Sequence, residues 1–151
     1  MSAISMRRAR EADVPAIVAM LADDPLGQTR EDASLPLAQA YLDAFAAIDA
    51  DPNQLLVVMT DGDVIGTLQI SFLNGLSLRG ARRGQIEAVR IAAARRGEGL
   101  GQRLFEWAIE KCRERGCRTV QLTTNKSRLD AHRFYDRLGF KASHIGYKME
   151  L

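Results

Sequence analysis

Apolar positions along this chain switch between a helical and a strand period, and the switches mark its elements. Residues 4–9 read as an opening strand. Val14, Ile17, Val18 and Leu21 then recur at steps of three or four, which predicts a helix from about Glu11 to Ala22. The DDPLG run at 23–27 breaks it. Leu37, Ala40, Tyr41, Ala44, Phe45 and Ile48 predict a second helix, with Pro36 in its first turn and Ser34 near enough to cap it. Asp51 and Pro52 end that helix. Gln54–Thr60 is an apolar strand, and Asp61-Gly62 is a strong hairpin signal. In the return strand, Val64–Phe72, Val64, Leu68, Ile70 and Phe72 share one face. Thr67, Gln69 and Ser71 share the other, where they face a ligand or water.

After a loop at 74–83, Gln85–Ala92 reads as another strand. Gly99–Arg115 is the longest helix, with Leu100, Leu104, Ala108 and Cys112 at steps of four and Gly116 as its stop. Arg118–Thr124 is a strand. Ser127 opens a further helix, with Asp130 as capping-box partner and Ala131, Phe134, Tyr135 and Leu138 as its apolar face. Ile145, Tyr147, Met149 and Leu151 alternate as a final strand. The order β-α-α-β-β-β-α-β-α-β-β predicts an α/β (α+β) fold. It has one mixed sheet of about seven strands and about four helices.

Composition narrows the class. The 151 residues fit one domain, residues 1–151, with 46% apolar residues to build a core. No apolar run approaches the roughly 18 residues of a membrane helix, and MSAISMRRAR carries no apolar stretch behind its basic residues. A cytoplasmic location is expected. Cys112 and Cys117 lack a C-x-x-C spacing and read as reduced thiols. His132 and His144 are the only histidines, so no metal site is expected. No G-x-S-x-G elbow supports a serine hydrolase. The net charge of +2 hides an asymmetry: residues 11–63 hold eleven acids and one base, and residues 64–151 hold seventeen bases and eight acids. Such halves suit partners of opposite charge.

The segment VRIAAARRGEGLGQRL, from Val89 to Leu104, carries the chemistry. A strand runs into a basic, glycine-rich turn that opens a long helix. A helix N-terminus binds phosphate because its first N–H groups lack partners and the dipole is positive there. Gly97, Gly99 and Gly101 let a pyrophosphate approach the backbone, and Arg95 and Arg96 add charge. A P-loop run is missing, and G-x-G-x-x-G fails in both registers, at Gln102 and at Leu104.

Arg96-Gly97-Glu98-Gly99-Leu100-Gly101 resembles the acetyl-coenzyme A signature [Q/R]-x-x-G-x-[G/A] of the GNAT N-acetyltransferases. The run from Ala131 to Phe140 is similar to that family's A-x-x-[FL]-Y-x-x-x-G-F, and Arg7-Arg8-Ala9 with Asp13 is similar to its opening strand and helix. Where many relatives place Asn, seven residues before the tyrosine, this chain has Arg128. With Ser143-His144, that brings it nearer the aminoalkylphosphonate acetyltransferase branch.

The resemblance implies acetyl transfer from acetyl-coenzyme A to a primary amine by direct attack. It implies Glu87 as base, directly or through water, and Tyr135 as the acid that protonates the leaving thiolate. Backbone N–H groups near Ile91 would polarise the thioester. Coenzyme contacts are expected from Val89, Arg90, Ile91, Arg95, Arg96, Gly97, Glu98, Gly99, Leu100, Gly101, Asn125 and Arg128. The acidic first half favours a cationic small-molecule acceptor. An aminophosphonate or other anionic amino compound is the alternative, and a non-catalytic acyl-coenzyme A sensor is a second. A homodimer is in keeping with relatives. Neither a membrane nor a nucleic-acid partner is expected, since aromatics are 6% and do not interleave with the basic stretch.

Overall fold

The hairpin at Asp61-Gly62-Asp63 organises the sheet. Strands β2 (Gln54–Asp61) and β3 (Asp63–Leu73) pair antiparallel from Asp61↔Asp63 to Gln54↔Ser71, and Gly62 takes the left-handed φ of 77° that the turn requires. The computed structural model describes residues 3–151. Strand β1 (Ser5–Arg8) adds to β2, and β4 (Arg83–Ile91) adds to β3, both antiparallel. Strand β5 (Thr119–Gln121) adds parallel to β4, giving the order β1-β2-β3-β4-β5. The mixed, mostly antiparallel sheet is as the sequence predicts.

Four helices of nine residues or more flank it: α1 (Val14–Ala22), α3 (Gln39–Ala50), α5 (Leu100–Glu114) and α6 (Leu129–Leu138). Two single turns, α2 (Gly27–Arg30) and α4 (Ser77–Gly80), lie in loops. Helices α1 and α3 cover one face, where Ala9, Ile17 and Val58 are buried with Phe45 packed against them. Helix α5 covers the other, over Val57, Met59, Leu68, Ile70 and Ile86.

Five strands form rather than seven. Beyond Phe140 no strand is present, and the alternating Ile145, Tyr147, Met149 and Leu151 are all exposed, because no ladder partner pairs with them among the described residues. Strand β5 is also shorter than expected. Ser127 does not cap α6; its N–H and hydroxyl both bond the Asn125 side chain, and Asp130 pairs with Arg133. Ser34 bonds Asp32, and the second helix starts only at Gln39. The polar face of β3 is tied down by internal hydrogen bonds. Thr67 donates to the Val57 carbonyl at 2.9 Å, and Gln69 and Ser71 both reach Gln54.

Two contacts fix the helices that matter for the site. Phe105 of α5 is 1% exposed, and its ring meets Phe134, Tyr135 and Phe140 edge-on at centroid distances of 5.5–6.1 Å. Such pairs add to plain area burial. Two turns further along the same face of α5, a Cβ on Gly84 of β4 would collide with the Cys112 Sγ, so glycine permits this close approach. Burial pushes the Cys112 thiol up to about 12, which makes it an inert packing group.

The second contact is Asp24, just past α1. One of its oxygens accepts from the Gly27 N–H, and the other accepts from Arg90 of β4 at 3.0 Å and Arg128, before α6, at 3.1 Å. Burial works to raise this carboxyl, but the Gly27 N–H and the two guanidiniums outweigh it and hold it below the usual range.

Phe105→Ala removes the ring that seats α6, and it should cost about 3–5 kcal/mol in urea unfolding. A loss under about 1 kcal/mol would mean that α6 is held elsewhere. Asp24→Asn should lose about 2 kcal/mol at pH 7, as expected for hydrogen bonds to charged groups. Because the folded carboxyl titrates low, its stabilisation is complete above about pH 4 and fades as pH falls through the folded value. The gap between wild type and Asp24→Asn should therefore close in acid, read by denaturation across a pH series.

Candidate active site

The site begins with a break in pairing. Across β3 and β4, Gln69 faces Glu87 while Thr67 faces Arg90, so β4 carries one extra residue in that interval. Ala88 takes it up with a left-handed φ of 54°. A bulge of this kind frees a backbone group from the ladder and sharpens the local twist. On its other edge β4 pairs with β5 only at Arg83, Gly84 and Gln85. From Ile86 to Ile91 that edge has no strand partner among the described residues, and the two parallel strands part around an opening.

The opening leads to the glycine turn. Beyond Ala93–Arg95, Gly97 and Gly99 adopt φ of 84° and 75°, and a Cβ on either would meet nothing within 4 Å. No side chain caps α5. Its first backbone donors face open space, where an anion would satisfy them. A cleft of about 480 Å³ lies here. It gathers seven residues singled out from the sequence: Ile91, Arg95, Arg96, Gly97, Gly99, Leu100 and Gly101.

Four lining residues had not been singled out for the coenzyme: Gln102, Phe134, Arg137 and Leu138. The helical spacing of Phe134, Arg137 and Leu138 already places them on one face of α6. What the sequence lacked was the fact that this face crosses the start of α5, where a Cβ on Gly101 would sit 3.7 Å from the Phe134 ring.

The remaining candidates lie outside the cleft lining. Glu98 pairs with Arg95 at 2.9 Å, and Arg95 also bonds Asp61 at 3.0 Å, which orients that guanidinium. Arg96 reaches the Asp23 carbonyl. Val89 packs on the core. Arg90 and Arg128 turn toward Asp24 instead, and the buried Arg90 Nε has no hydrogen-bond partner. Asn125 holds its own turn, through the bonds from Ser127 and a carbonyl that meets His132 Nε2 at 3.1 Å.

Tyr135 is half-buried against Phe105, and its hydroxyl has no hydrogen-bond partner among the described residues. Burial pushes its phenol up, against the pull of the Arg128 and Arg90 charges. Glu87 is exposed on β4, one residue before the bulge.

Folding changes the charge asymmetry. Of the eleven acids in 11–63, five (Asp13, Asp23, Asp24, Asp49 and Asp61) pair with arginines that lie outside that segment. Asp23, Asp24 and Asp61 do so around the opening. Among the described residues no group of three or more metal-ligating side chains occurs, and no helix is long and apolar enough to cross a membrane.

Residues 16–140 match the model of the acetyltransferase (GNAT) family. The chain is 37% identical over 115 residues to the aminoalkylphosphonate N-acetyltransferase of Salmonella typhimurium, covering 75% of this chain and 73% of that one. Among solved structures, a transcriptional regulator from Bacillus halodurans C-125 is 47% identical with a TM-score of 0.96, covering 99% and 100% of the two chains. A putative acetyltransferase from Agrobacterium tumefaciens is 27% identical with a TM-score of 0.84, covering 97% and 99%. An uncapped helix behind a glycine turn, a split between β4 and β5, and a family match across most of the length lead to one conclusion: this chain belongs to the GNAT family of acetyltransferases.

Proposed function

We propose that the protein moves acetyl from acetyl-coenzyme A to a primary amine by direct attack in a ternary complex. The observation that carries this reading is the unpaired edge of β4 running into the uncapped glycine turn, with Tyr135 on the helix packed across it. The turn fits a pyrophosphate: two left-handed glycines leave open space above the first N–H groups of α5. In this reading Arg95, Arg96, Gly97, Glu98, Gly99, Leu100 and Gly101 form the cradle, and Arg137 adds charge. Ile91 lines the cleft beside them, and Val89, Arg90, Asn125 and Arg128 support it from β4 and the start of α6. The coenzyme supplies the activated thioester.

The amine must lose a proton before it attacks, since at pH 7 an amine is mostly charged. Glu87 takes that proton, directly or through water. Backbone N–H groups near Ile91 stabilise the charge that gathers on the carbonyl oxygen. As the carbon–nitrogen bond forms, the carbon–sulfur bond breaks; Tyr135 gives its proton to the departing sulfur, the nitrogen releases its second proton to solvent on becoming an amide, and Tyr135 regains one from solvent. The protein works as one domain, residues 1–151, in the cytoplasm and as a homodimer.

For the acceptor, a cationic small molecule follows from the acids of 11–63 that no arginine neutralises. A second reading has its own support. Arg90 and Arg128 set two guanidiniums against the single carboxylate of Asp24, close enough to act on the Tyr135 phenol. That surplus charge suits an amino compound bearing an anion, and the Salmonella relative is named for aminoalkylphosphonates.

Tyr135→Phe should lower kcat by about 10²–10⁴, the usual range for a positioned acid, with acetyl-coenzyme A binding kept. Wild-type kcat with chemistry rate-limiting would return Tyr135 to a packing role. Because burial holds the phenol above its ordinary value near 10, wild-type kcat should show no falling limb below about pH 10. Gly99→Asp brings a side chain at φ 75° and a negative charge to the turn, and calorimetry should find acetyl-coenzyme A binding lost in the folded variant. Thiol release measured against an amine panel tests the acceptor. A cationic substrate should show KM rising with salt as screening shortens from about 10 Å at 0.1 M to about 3 Å at 1 M. Aminophosphonates outrunning polyamines at low salt would select the second reading. Coenzyme binding with no thiol release for any amine would select the sensor.

A further inference from the structure

The sheet face beneath α5 is not covered evenly. Helix α5 lies over β3 and β4, while β1 forms the far edge on that side. Strand alternation puts Met6 and Arg8 on this face, opposite Met59 and Val57. Ile4 and Met6 pack on the core. Arg8 stands where the pattern calls for a third apolar residue, and it is exposed. Its pairing with Asp49 is long, at 3.8 Å, whereas Arg7 on the opposite face meets Asp13 at 2.7 Å. Helix α5 shows a matching flank. Leu104, Ala108 and Cys112 are buried, and one step around the helix Trp107, Lys111 and Arg115 recur every four residues.

Between this flank and the β1 side of the sheet lies a cleft of about 290 Å³. Its floor is Leu55, Phe72 and Trp107, and its rim is Arg8, Lys111 and Arg115 with the single carboxylate of Glu114. It shares no lining residue with the cleft at the glycine turn. The two lie toward opposite ends of α5, a helix about 22 Å long. The rim cations are loosely committed. Arg115 lies over the Phe72 ring at 4.1 Å and donates to the Pro52 carbonyl, and no carboxylate pairs with it among the described residues. Lys111 sits 5.1 Å from the Trp107 ring centroid and 3.1 Å from Glu114, in an exposed pair of the kind that contributes little.

We propose that this cleft is a second binding site, for a small aromatic carboxylate. The ring of that ligand lies on Leu55, Phe72 and Trp107, and its carboxylate bonds Arg8 and Lys111, which turns from Glu114 to meet it. Arg115 adds positive charge from above Phe72. The lining selects this class. A neutral apolar molecule leaves three cations without a partner, and a small inorganic anion leaves the aromatic floor bare. The volume stands at the lower end of small-molecule sites, which begin at roughly 300 Å³, so it admits one or two rings and excludes a coenzyme or a peptide. The inference does not rest on acetyl transfer, and its test needs no activity.

Trp107 is the chain's single tryptophan, so its fluorescence reports on this cleft alone. Titration with 4-nitrobenzoate, a non-fluorescent quencher, should quench that emission and saturate. 4-Nitrobenzamide keeps the ring without the charge, and it should bind about tenfold more weakly or worse, as expected when a charged hydrogen bond is lost. Acetate keeps the charge without the ring, and it should not displace the nitrobenzoate at equal concentration. Arg8→Gln and Lys111→Gln should each weaken 4-nitrobenzoate about tenfold, with circular dichroism unchanged, since both side chains reach solvent. Quenching that never saturates would overturn the proposal. So would an amide that binds as well as the acid, or two folded glutamine variants that bind like wild type. Strict competition with acetyl-coenzyme A would also overturn it, by placing the acid in the cleft at the glycine turn.

Discussion

The split between β4 and β5 governs the rest of the structure. Two parallel strands that begin in register at Arg83↔Thr119 would normally continue. They part after Gln85, and just beyond that point β4 takes up an extra residue at Ala88 against β3, which sharpens the twist of its second half. An unpaired run of backbone is costly inside a protein unless something satisfies it. Here it borders an opening, and its far end runs into a turn whose helix donors are also unspent. The same parting leaves β5 short, with one neighbour and one free edge. The opening and the short β5 therefore lie on the same side of β4.

The opening keeps its shape through two unlike contacts. On the α5 side the hold is apolar and edge-on: Phe105 locks Phe134, Tyr135 and Phe140, so the helix that carries the candidate acid cannot roll without exposing a buried ring. On the α1 side the hold is ionic. Asp24 joins α1, β4 and the start of α6 through Arg90 and Arg128. The two arginines share one carboxylate, so positive charge is left over beside Tyr135. That surplus comes from packing, and it runs against the acidic character of the segment that supplies Asp24.

What the sequence determined by itself was local. The hairpin at Asp61-Gly62, the stop at Gly116, the helical faces of α5 and α6 and the basic glycine turn were all legible, because each depends on residues within one or two turns of one another. The turn's glycines were legible as an open turn for the same reason, and seven of the residues named for the coenzyme do line the cleft. The alternation of Ile145, Tyr147, Met149 and Leu151 was equally visible, yet no strand forms there among the described residues. Periodicity supplies one side of a strand pair and does not supply the other.

Tertiary structure decided everything that depends on what lies opposite. The direction of Arg90 and Arg128, toward Asp24, depends on a partner more than sixty residues away in sequence for one and more than a hundred for the other. Net charge along the chain could not foresee that five of its eleven clustered acids would meet arginines from outside their segment. Arg137 was hidden because α6 crosses α5 at Gly101, a contact no spacing within α6 encodes. The count of strands failed for the same reason. A strand exists only where a second backbone accepts its hydrogen bonds, and sequence pattern specifies one half of that pair.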